Sequence, residues 1–133
     1  MDIPRAVADQ AALGLKLRRN GYQGGTQTGW MRARQLTNNK KKIDVKSLAD
    51  MRAWMARHGP DASNGGTSYR GYLKWKRDGM PMHASNKAAY RGAVAWLLWG
   101  GDAAYMWLKT AAVRKAMRPL GRKEASRVNK LVK

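Results

Sequence analysis

The side chains able to do covalent or metal chemistry are few in this sequence, and they stand apart from one another. The 133 residues hold two histidines, His58 and His83, eight carboxylates and no cysteine. A zinc centre needs about four nitrogen, sulfur or carboxylate ligands at close spacing. Neither histidine has another histidine or a carboxylate at such a spacing, so no metal site is expected. Acid–base or nucleophilic catalysis needs a nucleophile beside a base, or paired carboxylates. Asp61, Asp78 and Asp102 instead stand singly near glycines at turns and helix ends, where capping accounts for them. His58 closes a helix, where the dipole favours it. The glycine-rich run 21–29 lacks the Gly-Lys-Ser/Thr ending of a phosphate-binding loop. These residues predict no enzyme and no cofactor.

Two other groupings carry a chemical expectation. Asp102 follows Gly100 and Gly101 between tryptophan-rich segments, so its carboxylate is expected either to cap the next helix or to pair with a buried cation. Arg57 and His58 are the first-choice partners and Arg34 the second. Tyr69-Arg70-Gly71-Tyr72-Leu73-Lys74-Trp75-Lys76-Arg77 interleaves rings with cations. That pattern suits bases stacking on rings while charges hold phosphates; it equally suits a buried helical face of Tyr69, Tyr72 and Trp75 with a solvated basic side.

The elements that must position these groups read as helices throughout, since no stretch alternates with period two. Residues 87–99 are apolar almost all round, predicting a buried central helix that holds Trp96 and Trp99. Ser85 or Asn86 caps it, the Gly100-Gly101 corner ends it, and a second helix runs on to about Arg118, stopped by Pro119. Asp44 reads as the cap of a helix through His58, with Val45, Leu48, Met51 and Met55 buried, and Gly59-Pro60 as a left-handed stop. Trp30, Ala33 and Leu36 mark a short helix, and Thr67 or Ser68 begins another whose inner side is Tyr69, Tyr72, Leu73 and Lys76. Residues 3–19 show two partial stripes, Ile3, Val7 and Ala11, and Leu13 with Leu17, weakened by Gly14. A last basic helix is expected over residues 121–131. The fold expected is all-α, a compact bundle of about five to seven short helices around the Trp-rich helix, with basic extended ends. Residues 1–27 are expected as a basic arm and glycine-rich linker, 28–118 as the helical domain and 119–133 as a basic tail.

Charge bounds the partners. Against 27 Lys and Arg stand 8 Asp and Glu, a net +19. So large a charge on one small domain repels itself unless an anionic surface offsets it. The excess is +7 over residues 1–42, +4 over 43–108 and +8 over 109–133. The ends are therefore the expected contacts: Arg18, Arg19, the run Lys40, Lys41 and Lys42, and Arg122, Lys123, Arg127, Lys130 and Lys133. Nucleic acid, acidic protein and anionic lipid all qualify as partners. No bilayer span is expected, because a span needs roughly 20 continuous apolar residues and Arg91 and the Gly-Gly-Asp corner leave about half that. No secretory signal is read in the first residues, and no disulfide chemistry is possible without cysteine.

Three boxes in order carry a resemblance over about residues 28–109. They are Arg32-Ala33-Arg34-Gln35-Leu36, then Arg57-His58-Gly59-Pro60-Asp61-Ala62, then Trp96-Leu97-Leu98-Trp99-Gly100-Gly101-Asp102 running on to Trp107. Together they resemble a small helical domain met in proteins of tailed phages and large DNA viruses. The resemblance implies a virion-associated structural protein, found in the particle and, during assembly, inside the host cell, and it transfers no catalytic residue. The expected function is a minor capsid protein that bridges larger capsid proteins or lies between shell and genome. The alternative is a non-specific DNA- or RNA-binding protein acting on the viral genome through its basic ends.

Overall fold

The computed structural model describes residues 1–83 and 85–120. Six helices carry the order α1 (Arg5–Arg19), α2 (Gln27–Leu36), α3 (Val45–His58), α4 (Thr67–Arg77), α5 (Arg91–Leu98) and α6 (Gly101–Leu108). Residues 111–120 are also helical and form α7. Among the described residues the only extended pairing is an isolated antiparallel bridge between Asp2 and Lys42. The molecule is an all-α bundle, as its periodicities predict.

α5 sits at the centre. Ala93, Val94, Trp96, Leu97 and Leu98 lie at or near zero exposure, and its main neighbours are α4 and α1. Those neighbours approach its backbone closely, and glycine permits this. A β-carbon on Gly14 of α1 would stand 2.8 Å from the Leu98 nitrogen, and one on Gly71 of α4 would stand 2.9 Å from the Gly92 α-carbon. Interiors are packed near crystal density, so neither contact leaves room for a methyl group. Gly14 therefore marks the point where α1 meets α5, not a flaw in the helix.

α1 is consequently part of the core. Val7, Ala11, Leu15 and Leu17 are buried, and the expected boundary near residue 27 does not separate an arm from the domain. The glycine-rich connector is likewise laid over α5: a β-carbon on Gly24 would meet the Arg91 carbonyl oxygen at 2.5 Å, and Tyr22 is buried with its hydroxyl donating to the Pro81 carbonyl at 3.0 Å. The Met1 amino group donates to the Ile43 carbonyl, and Ile3 N–H donates to the Lys41 carbonyl at 2.8 Å. These bonds fasten residues 1–3 beside residues 41–43.

Local signals fared unevenly. Asp44 caps α3 as expected, its carboxylate accepting from the Ser47 N–H at 3.3 Å, and Leu48, Met51 and Met55 are buried below it, while Val45, expected with them, is only half-buried in the first turn. Gly59 ends α3 in extended, not left-handed, backbone; glycine is required there because a β-carbon would stand 2.5 Å from the Met55 carbonyl oxygen, with the Trp96 ring close beyond it at 3.2 Å. α4 starts on Gly66, without a side-chain cap from Thr67 or Ser68. Its inner side is Ser68, Tyr72 and Trp75, while Leu73 is exposed. Residues 87–90 form turns, with Asn86 Oδ1 accepting from the Ala88 N–H at 3.1 Å, so α5 is shorter than the expected helix over 87–99.

The corner is built as predicted from two glycines with positive φ, +100° at Gly100 and +60° at Gly101. Beyond it, one long helix to Arg118 was expected, but α6 stops at Leu108. The Thr110 hydroxyl donates to the Trp107 carbonyl at 2.7 Å and accepts from the Val113 N–H at 3.4 Å. α7 begins after that break, and Val113 in its first turn is buried. Pro119 does not end α7 within the described residues, which remain helical through residue 120. The helix expected over 121–131 lies outside the described residues.

The Gly14 contact yields a test in which two effects oppose each other. In a solvent-facing helix, Gly→Ala stabilises by about 1 kcal/mol through propensity. Here Gly14→Ala is expected to destabilise by about 1–3 kcal/mol, as overpacking does, seen as a lowered denaturation midpoint. A raised midpoint would show that α1 does not press on α5.

Candidate polyanion-binding surface

The three sequence boxes converge on one aromatic layer. Trp54 of α3 stacks on Trp99 with ring centres 4.8 Å apart and planes 7° from parallel. The Arg32 guanidinium also lies over Trp99, 5.3 Å from its ring centre. Tyr69 meets Trp96 edge-on at 5.2 Å. Arg32 also donates to Gln35 and to Asp50, the latter at 3.4 Å, and Gln35 donates to the Ser47 hydroxyl at 2.9 Å. Arg32 and Gln35 thus clamp α2 to α3, leaving Arg34 of the same box outside and exposed.

Asp102 belongs to this layer through a partner that sequence reasoning missed. The Trp96 indole Nε1–H donates to Asp102 Oδ1 at 2.9 Å. The pairing expected with Arg57 and His58 does not form: among the described residues no cation lies within 4.0 Å of the Asp102 carboxylate. Nor does Asp102 cap α6, which begins on the left-handed Gly100 without a side-chain cap. Arg57 is exposed. His58 packs on Trp54 with ring centres 4.8 Å apart, and burial, helped by the Arg57 charge, holds its pKa below the ordinary imidazole value. His83 is exposed in the loop before α5.

The other carboxylates among the described residues are also engaged within the chain. Asp2 pairs with Lys42, Asp9 with Arg5 at 3.9 Å, Asp50 with Arg32 and Asp61 with Lys109 at 3.1 Å. Asp44 caps α3, and Asp78 accepts from the Tyr90 hydroxyl at 2.7 Å. Among the described residues no three metal-ligating side chains cluster. The cations outnumber these partners and most of them face solvent.

Where they gather beside a ring, a surface emerges. A groove of about 490 Å³ runs along the seam of α1 and α2, lined by Leu15, Arg19, Trp30, Arg34, Thr37, Asn38 and Asn39. A second depression of about 390 Å³ lies across Trp30, lined by Arg18, Gly25, Thr26 and Gln27. Half-buried Trp30 is the wall they share. Guanidinium groups offer fixed forks to phosphate or carboxylate, and an indole face accepts a base or an aliphatic group.

The predicted contact residues fall into three groups. Arg19 lines the groove, and Lys40 and Lys41 follow directly after its rim at Asn39. Asn38 shapes that rim: its side chain donates to the Lys42 carbonyl at 3.3 Å and accepts from the Lys41 N–H at 2.8 Å, with Lys41 at φ +54°. Arg18 and Lys42 each bond within the chain, although Arg18 also lines the second depression. Arg18 lies over Trp30 at 5.7 Å and donates to the Gly24 carbonyl at 2.6 Å, while Lys42 is bonded to Asp2. The run 40–42 is thus held against the chain's own first residues. Arg122, Lys123, Arg127, Lys130 and Lys133 lie outside the described residues. Trp30 and Arg34 were missed as surface residues, although their four-residue helical spacing places them on one face. Tyr72 and Trp75 are buried, so the basic–aromatic run of α4 packs as a core face. No family model, curated protein or solved structure matches this chain.

Asp102 provides the test of the aromatic layer. Asp102→Ala strands a buried indole N–H and is expected to cost about 1–3 kcal/mol. Asp102→Asn keeps an acceptor in place and should cost clearly less. Equal losses in the two denaturation curves would mean that charge, not the hydrogen bond, is what Trp96 requires.

Proposed function

We propose that the protein is a basic structural component of a virus particle, a minor capsid protein that bridges larger capsid proteins or lies between shell and genome. The observation that carries this reading is the mismatch of charge. The carboxylates of the described residues are already committed within the fold, so the net +19 must be balanced from outside. A packaged polyanion or an acidic capsid surface meets that need. The resemblance of the three boxes to a domain of phage and large-virus proteins points the same way. Their convergence on one aromatic layer supports a role for them in holding the domain together rather than in catalysis.

A second reading, non-specific binding of DNA or RNA, is favoured by one feature, the groove in which Trp30 stands beside Arg19 and Arg34. Phosphate contacts made there carry little base preference.

Gradient-purified particles test the first reading. The protein is expected to co-sediment with them, to survive nuclease treatment and to be released by high salt. Its confinement to the soluble infected-cell fraction would refute it. For the groove, binding to a nucleic-acid duplex should weaken linearly with the logarithm of salt, and Arg19→Gln with Arg34→Gln should each reduce the slope by about 0.9. An unchanged slope in both variants would remove the groove from the interface.

A further inference from the structure

A smaller pocket on another part of the molecule differs in kind from the groove. It lies between α3, α6 and α7, encloses about 200 Å³ and has an apolar floor of Met55 and Leu108, with Ala56 on its wall. Arg52, Lys109 and Arg114 stand around it. Small-molecule sites usually measure about 300–1,000 Å³, so this pocket has room for little more than one side chain.

Its charges are unevenly satisfied. The Tyr105 hydroxyl donates to Asp61 at 2.7 Å and accepts from Lys109 at 2.6 Å, while Lys109 also reaches Asp61 at 3.1 Å. The hydrogen bond from Tyr105, and then Lys109, hold the Asp61 pKa below its ordinary value. Asp61 is therefore an ionised group that answers Lys109. Arg52 and Arg114 have no carboxylate within 4.0 Å among the described residues.

We propose that this pocket docks an acidic segment of a partner protein, taking one aliphatic side chain onto Met55 and Leu108 and an adjacent carboxylate onto Arg52 and Arg114. The floor selects for an apolar group, which a phosphate backbone lacks. The guanidinium forks of Arg52 and Arg114, both left without a carboxylate of their own chain among the described residues, suit the carboxylate that follows such an apolar anchor. An apolar anchor in a small pocket with charges at the rim is the usual anatomy of a binding hot spot. The inference uses none of the groove residues, so it stands or falls separately from the particle and salt-slope experiments.

The test is a nuclear magnetic resonance titration of the full ¹⁵N-labelled chain with the blocked peptide acetyl-Gly-Leu-Glu-Glu-amide. Shifts are expected at Arg52, Ala56, Tyr105, Lys109 and Arg114. Replacing leucine by glycine, or both glutamates by glutamine, should weaken binding by about tenfold or more, as should the Arg52→Gln/Arg114→Gln double variant. Both arginines are exposed, and Ala56→Trp offers a second variant that fills the pocket from an exposed position. Loss of binding in that variant, with the rest of its spectrum intact, supports the proposal. Equal affinity for the glycine peptide, unaltered binding by both variants, or shifts confined to the α1–α2 groove would overturn it. So would a single-stranded oligonucleotide that shifts the same pocket residues as strongly as the peptide.

Discussion

Backbone-level contact on α5 is the constraint from which the rest of the structure follows. A helix of eight residues in which Ala93, Val94, Trp96, Leu97 and Leu98 are all buried must be covered on most of its circumference, and α1 and α4 cover it by bringing Gly14 and Gly71 against its main chain. Close approach lets Leu17 and Trp75 reach complete burial on the two neighbouring helices. It also fixes where the α5–α6 corner lies, because Gly100 turns the chain with Val7 of α1 beside it. The aromatic layer then closes the remaining side, with Trp96 and Trp99 of this segment held against Trp54 of α3. Burial of large rings dominates such an interior, and ring geometry adds a smaller increment of about 0.5–1.5 kcal/mol per pair.

The same packing sorts the polar groups. Carboxylates are scarce, and each one described is drawn into a cap, an indole or phenol hydrogen bond, or an ion pair with a neighbouring cation. Exposed pairs of this kind add little stability. Their effect lies in what they leave behind: a surface on which positive charge is largely unanswered. That surface includes an open groove with a tryptophan wall and a small pocket with an apolar floor beside Arg52 and Arg114, two shapes suited to different anionic partners. Association with a virus particle would bring both kinds of partner within reach.

How much of this was legible in the sequence depended on how local each signal is. The Asp44 cap, the face of α3, the buried central segment and the Gly100-Gly101 corner depend on residues close in the chain, and they are found where expected. Gly14 read as weakness and the run 21–29 as a linker because the reason for Gly14, Gly24 and Gly25 lies on α5, far away in sequence. Asp102 has the same history. A carboxylate near a helix start suggests a cap, and only the turn at Gly100 shows that the Trp96 indole is the donor it meets. Trp30 and Arg34 were legible as helix neighbours, yet only the packing of α2 on α1 turns them into a groove wall. Lys42 is grouped by sequence with a basic run because Asp2, its partner, is separated from it in the chain by the whole of α1 and α2.

The central claim is that the first helix is part of the core that surrounds α5, and native-state hydrogen exchange reads this directly. If it is correct, amides of α1 from Ala11 to Leu17 exchange as slowly as those of α5 from Ala95 to Leu98, and both respond to added denaturant as one unit set by global unfolding. Exchange of the α1 amides in a faster class, insensitive to denaturant while α5 stays protected, would contradict it and return residues 1–27 to the status of an arm.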